Sequence, residues 1–186
     1  MTEKWQEDVI RSARGQWDAG DGYEAGKSIV EHIPNEDRKF WAANILEQVY
    51  GLVETIPEIE SLLNLARNDE KWEIEAQELL WDAKDKVGHV HNALDESAPL
   101  LTQEVMNLAY YAGKTIYNAR NYRAMYDHNG SWILVAKAKT ITEYNEDSDF
   151  AEALWETIAN RQFMKLKIPT HCNPGCPFCG EMYGAP

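Results

Sequence analysis

Cysteine is missing from the first 171 of the 186 residues; the three present, Cys172, Cys176 and Cys179, all fall in the last fifteen. An odd, clustered set makes a poor disulfide framework, so the body of the chain must be held by packing, and a reducing, cytoplasmic setting is expected. Long apolar runs are also missing: no stretch approaches the roughly 20 residues that a membrane span needs. The first residues, MTEKWQEDVI, are polar and acidic, which fits neither a secretory signal nor a transit peptide. Bases are scarce, with 18 Lys and Arg against 31 Asp and Glu and a net charge of −13. General nucleic-acid binding works by pairing cations with phosphates, so this balance disfavours it. Strict period-two alternation is nearly absent, and no internal repeat occurs at a fixed period. The Glu-x-x-His pairs of a di-iron bundle do not occur. Gly26-Lys27-Ser28 lacks the earlier glycine that a phosphate-binding loop requires.

What is present is helical periodicity. Hydrophobic residues make up 44% of the chain, enough for one packed domain of this length. Trp5, Val9, Ala13 and Trp17 recur every fourth residue, one face of an amphipathic helix that the Gly20-Asp21-Gly22 run breaks. A short helix is expected from Tyr23 to Ile33, stopped before Pro34. Asn35 reads as the N-cap of a third helix, with Glu36 and Asp37 favoured in its first turn by the helix dipole. Phe40, Trp41, Ile45, Val49, Leu52 and Val53 follow at helical spacing until Pro57, and Ile59, Leu62, Leu63 and Ala66 mark a further short helix. Asn68 can cap the next segment, where Trp72, Ala76, Leu79, Leu80, Ala83, Val87 and Leu94 form an apolar stripe. Ser97 and Pro99 then open a helix carrying Leu101, Val105, Leu108, Ala109, Ala112, Ile116 and Ala119 towards Tyr126. Asp127-His128-Asn129-Gly130 is turn chemistry. Residues 132–144 read either as a helix capped by Ser131 or, over Trp132 to Val135, as a short buried strand. Asp149 opens a last helix with Phe150, Leu154, Trp155, Ile158 and Phe163. The expected fold is all-α, a bundle of about six to seven helices over residues 1–167. A cysteine-containing loop or tail follows over 168–186. The seven tryptophans fall mostly on apolar faces and are expected in the core.

Charge divides the chain. Residues 1–100 carry 22 acids and 10 bases, whereas residues 101–186 carry 9 and 8. The densest acidic face is the one opposite the apolar stripe that starts at Trp72: Glu73, Glu75, Glu78, Asp82 and Asp85. By contrast, no acid occurs from Val105 to Tyr126, where Lys114, Arg120 and Arg123 are interleaved with Tyr110, Tyr111, Tyr117, Tyr122 and Tyr126. Such a face can stack bases and hold phosphates. It can equally bury its rings in the core and turn its cations to the acidic half of the chain, which is the expected arrangement.

The terminal segment His171-Cys172-Asn-Pro-Gly-Cys176-Pro-Phe-Cys179-Gly180 has metal-site spacing. Two thiolates two residues apart on a tight turn can share one tetrahedral ion, with Gly180 supplying the unusual dihedral. Cys172 adds a third sulfur. His171 is the nearest fourth ligand, although adjacent residues point apart; His128, His89 or His91 from the body are the alternatives. His89 and His91 do not chelate as a pair on a helix, because a two-residue step turns the ring by about 200°. Cys-Pro-Phe-Cys-Gly resembles the knuckle of a zinc ribbon, which implies a structural zinc. The Cys-x3-Cys-x2-Cys spacing also resembles the cluster loop of radical-SAM enzymes, which implies a [4Fe–4S] cluster. Only seven residues follow Cys179, so the barrel of that family is not expected here. Cys176-Pro-Phe-Cys179 resembles the glutaredoxin motif too, though that family places it at the start of a helix.

Arg123-Ala-Met-Tyr-Asp-His128 has the Arg-x4-His spacing of HEPN ribonucleases, which are also all-α. The resemblance implies His128 as acid–base and Arg123 as the phosphate-charge stabiliser in cleavage through the RNA 2′-hydroxyl. Ala124 stands where that family usually has a polar residue. The larger signal is the acidic first half, which points to a binding or inhibitory protein rather than an enzyme. Its carboxylates, Glu73, Glu75, Glu78, Asp82 and Asp85 among them, would meet a basic partner such as a nuclease, a nucleic-acid-binding complex or a toxin. Immunity, anti-restriction and phage anti-defence proteins use this charge logic, an analogy of class alone.

Overall fold

The computed structural model describes residues 3–67, 99–120 and 129–166, together with Asp82, Asp85, Lys86, Gly88, His89 and Asn92. These residues build an all-α bundle. The helices are α1 (Lys4–Asp18), α2 (Gly22–Val30), α3 (Asn35–Tyr50), α4 (Pro57–Arg67), α5 (Leu100–Arg120), α6 (Asn129–Tyr144) and α7 (Ser148–Ile158), followed by a 3-10 turn at Arg161–Phe163. The six described residues between 82 and 92 are helical as well, and no strand occurs among the described residues.

The stripe on α1 behaves as its spacing requires: Ala13 and Trp17 are buried, and Trp5 and Val9 pack against the core. The helix ends because Gly20 takes a left-handed φ of 88°, which costs glycine little. The Gly20 amide donates to the Trp17 carbonyl (3.0 Å) and the Asp21 amide to the Gln16 carbonyl (2.9 Å), the paired bonds of a Schellman stop. Asp21 then caps α2, its carboxylate accepting from the Glu24 amide at 3.0 Å.

The Gly20-Asp21-Gly22 run separates α1 from α2 as expected, and α2 starts one residue earlier than Tyr23, at Gly22. Gly22 and Gly26 lie one turn apart and let α2 settle onto α6. A Cβ at Gly22 would stand 2.8 Å from the Lys139 Cβ and 2.9 Å from the Ala136 Cα, and one at Gly26 would stand 3.2 Å from the Trp132 Cα. The helix backbones therefore meet with almost nothing between them.

The centre of the bundle is α3. Trp41, Ala42, Ala43, Ile45, Leu46 and Val49 are all fully buried, and a helix apolar on nearly every side must lie inside rather than on the surface. It touches α4, α5, α6 and α7. Its start differs from the expected one: Pro34 occupies the cap position, its carbonyl accepts from the Asp37 and Arg38 amides, and Asn35 is already helical. Lys39 is buried with these residues, its Nζ 4.2 Å from the centre of the Phe40 ring.

Residues 132–144 are helix, not strand. Ser131 lies inside α6 rather than capping it, and its hydroxyl sits 3.3 Å from that of Thr115 on α5, both buried. The last helix begins at Ser148, one residue before Asp149, because the Asp147 carboxylate caps the Asp149 and Phe150 amides. Three tryptophans (Trp17, Trp41, Trp155) are core residues and two (Trp5, Trp132) are half-buried against the core. Trp72 and Trp81 lie outside the described residues.

Beyond α7 the chain turns back on the body. The Trp41 indole donates to the Ile158 carbonyl at 2.9 Å. Met164 is buried, the Gln6 side-chain amide donates to the Met164 carbonyl (3.3 Å), and the Lys165 amide donates to the His32 carbonyl (2.8 Å). The end of the described chain is thus fixed against the start of α1 and the α2–α3 turn.

Candidate functional site

The exposed charge of the described residues is strongly one-sided. Exposed bases are Lys4, Arg11, Arg67, Lys86, Arg161 and Lys165. Exposed acids are spread over several helices: Glu3, Glu7, Asp8 and Asp18 on or beside α1; Asp21, Glu31 and Glu36 around α2 and α3; Glu47, Glu54 and Glu60 near α4; Asp82 and Asp85. A second group, Glu143, Glu146, Asp147, Asp149, Glu152 and Glu156, runs from the end of α6 along α7.

Some carboxylates are neutralised within the chain. Arg14 donates to Asp18 on its own helix (2.9 Å) and to Glu152 on α7 (2.8 Å), while its guanidinium carbon lies 5.6 Å from the centre of the Trp155 ring. Burial opposes the Arg14 charge, but the hydrogen bonds to Glu152 and Asp18 outweigh it and hold the group above its ordinary pKa. Arg67 grips Glu47 with both guanidinium nitrogens, one of them at 2.7 Å. That hydrogen bonding, against a smaller cost of burial, holds the Glu47 carboxyl below its usual range. Asp37 moves the other way: burial raises it first and the neighbouring Glu36 adds to this, with Lys165 opposing.

The sequence-expected partner site is described only in part. Asp82 and Asp85 are exposed, as their polar face requires, and Asp85 Oδ2 lies 3.7 Å from His89 Nε2. Glu73, Glu75 and Glu78 lie outside the described residues. A cleft of about 480 Å³ opens beside α4, lined by Pro57, Glu58, Ser61, Asn64, Leu65, Asp82 and Lys86. It sets Asp82 and Glu58 on the lining of one concavity with the polar groups of Ser61 and Asn64. Glu58 escapes sequence reasoning because it belongs to the first turn of a short helix recognised only by its apolar residues. Its proximity to Asp82 is a tertiary fact without a local signal.

The remaining candidates fall elsewhere. Arg123 and His128, the pair that resembles HEPN ribonucleases, lie outside the described residues, as do His171, Cys172, Cys176, Cys179 and His91. Among the described residues no group of three or more His, Cys, Asp or Glu side chains converges as a metal site. Of the interleaved tyrosines, Tyr110, Tyr111 and Tyr117 are half-buried against the core, while Tyr122, Tyr126 and Arg123 lie outside the described residues. Lys114 Nζ lies 5.7 and 5.8 Å from the centres of the Tyr110 and Tyr111 rings. No helix of the described residues is long and apolar enough to cross a membrane. Comparison with protein families, curated proteins and solved structures finds no match to the chain.

Proposed function

We propose that this chain is an acidic helical binding protein that engages a basic protein partner through its carboxylate-rich surface. Suitable partners are a nuclease, a nucleic-acid-binding complex or a basic toxin, met in the cytoplasm. The observation that carries this reading is the imbalance of the exposed shell, where eighteen exposed acids stand against six exposed Lys and Arg among the described residues. Arg11, Arg14 and Arg67 engage Asp8, Asp18, Glu152 and Glu47, and His32 and His89 lie beside Glu31 and Asp85, yet among the described residues the exposed acids still outnumber the exposed bases. Complementary charge of this kind accelerates encounter and selects partners more than it deepens affinity.

One contact point in this reading is the cleft beside α4. A partner's lysine or arginine entering it would lie between Glu58 and Asp82, with Ser61 and Asn64 as further hydrogen-bonding groups and Lys86 as the internal competitor. The terminal Cys172, Cys176 and Cys179 form a zinc-type knuckle in this reading, with structural rather than catalytic work to do.

The test measures binding to immobilised basic nucleases and toxins by interferometry, for the wild type and for Asp82→Lys/Asp85→Lys. Binding by the wild type to at least one of them, weakened about tenfold or more by the charge reversal, supports the reading. Equal binding by both proteins, or by neither, counts against it.

A further inference from the structure

We propose that the corner formed by Trp132 of α6 with Tyr23 and Glu24 of α2 is the seat of an arginine side chain from the basic partner, and that Lys27 holds this seat until the arginine displaces it. This rests on the reading of the chain as an acidic binding protein, and it names the side chain that the surface selects.

Two helices build the corner together. Gly26 lets them approach: a Cβ there would stand 3.0 Å from the Val135 Cβ and 3.2 Å from the Trp132 Cα. The Trp132 ring therefore lies directly beside α2 and meets Tyr23 edge-on, with ring centres 5.7 Å apart and planes at 86°. Two rings at such an angle form two walls of one small seat. The Lys27 ammonium occupies it, with Nζ 5.0 Å from the centre of the Trp132 ring and 5.7 Å from that of Tyr23. The same nitrogen lies 3.6 Å from a carboxylate oxygen of Glu24. Ring faces attract cations through their negative quadrupole, and the carboxylate adds a full charge of the same sign. The corner is thus a cation site that the chain fills with its own lysine.

The seat is reachable and its occupant is loosely held. Tyr23 and Trp132 are half-buried, while the side chains of Glu24 and Lys27 are 46% and 42% exposed. An exposed ion pair contributes little, and an ammonium is a strongly hydrated point charge on a flexible stem, so Lys27 returns to water at small cost. A guanidinium has more to gain in the same place. It is planar and more weakly hydrated, stacks flat on an indole, and can offer a carboxylate two parallel N–H donors. Trp, Tyr and Arg are also the side chains that most often dominate interface energies. Surface carboxylates attract lysine and arginine alike; this corner converts that attraction into a preference for arginine.

The test titrates the ¹⁵N-labelled full-length chain at low salt with oligoarginine and oligolysine peptides of equal length. The indole N–H of Trp132, assigned through its NOE contacts to Tyr23, shifts with oligoarginine, which binds about fivefold or more tightly than oligolysine. In Trp132→Leu that preference disappears, while charge-driven binding of both peptides remains. Lys27→Ala empties the seat and strengthens oligoarginine binding more than Lys4→Ala, the same change of charge on α1. Equal strengthening by these two variants overturns Lys27 as the occupant. Equal affinity of the wild type for the two peptides, or a Trp132 indole that does not shift, overturns arginine selection and leaves the acidic-surface reading intact; neither readout depends on a variant folding. Binding of neither peptide overturns both.

Discussion

Gly22 on α2 and Ala136 on α6 approach so closely that a Cβ on the glycine would stand 2.9 Å from the Ala136 Cα. No real side chain tolerates that separation, so Gly22→Ala must push the two helices apart. The alanine gains little in helix propensity at the first position of α2, and overpacking costs typically about 1–3 kcal/mol. A net loss of about 1–2 kcal/mol is expected, read as a Tm lower by about 2–8 °C. Gly15 is the internal control. It lies inside α1 with nothing within 4 Å of a built Cβ, so Gly15→Ala should stabilise by about 0.5–1 kcal/mol. Thermal melts of the two variants should move in opposite directions. A Gly22→Ala variant as stable as wild type would show that the α2–α6 contact is looser than described.

Trp41 should be the most sensitive single position of the core. It is fully buried, and its indole N–H reaches the Ile158 carbonyl at the end of α7. Trp41→Phe keeps an aromatic ring but removes the donor, and leaving the carbonyl without it costs about 1–3 kcal/mol. Trp41→Ala adds a cavity and should cost about 3–5 kcal/mol. Urea denaturation of both variants checks the order. A Trp41→Phe midpoint indistinguishable from wild type would mean that the hydrogen bond to α7 contributes nothing.

The pH dependence of stability should reflect Glu47. Its folded pKa is depressed, chiefly by the hydrogen bonds from Arg67. The stabilisation is therefore present above the unfolded carboxyl pKa and lost as pH falls through the lower folded value. Both side chains are substantially exposed, so screening keeps the contribution below about 1 kcal/mol. Glu47→Gln should melt slightly below wild type at neutral pH, and the two curves should converge in acid. Asp37, raised by burial, has the opposite sign: its contribution favours the fold at low pH and fades as pH rises through its folded pKa. A constant gap between Glu47→Gln and wild type at every pH would rule out the Arg67 ion pair as its source.

The amphipathic helices were legible because their physics is local. Every fourth residue of α1, and Ile59, Leu62, Leu63 and Ala66 of α4, face the core as their spacing dictates. Residues 132–144 read ambiguously because α6 packs against both α2 and α5. Helices buried on several faces lose the apolar–polar alternation that distinguishes them from buried strands. Gly22 reads as a breaker by composition, and only the nearness of α6 explains why glycine stands there. The acidity of the surface could be counted in advance. Which carboxylates are already neutralised could not, because Arg14 meets Glu152 across 138 residues of chain.

Ionic strength offers the sharpest trial of a negatively charged shell that seeks a positive surface. The association constant with the tightest-binding basic protein would be measured from about 0.05 to about 0.3 M salt, where the screening length shortens from well above to below 10 Å. Affinity should fall steeply and continuously across that range, with the loss concentrated in the association rate. An affinity that stays flat would contradict recognition by surface carboxylates.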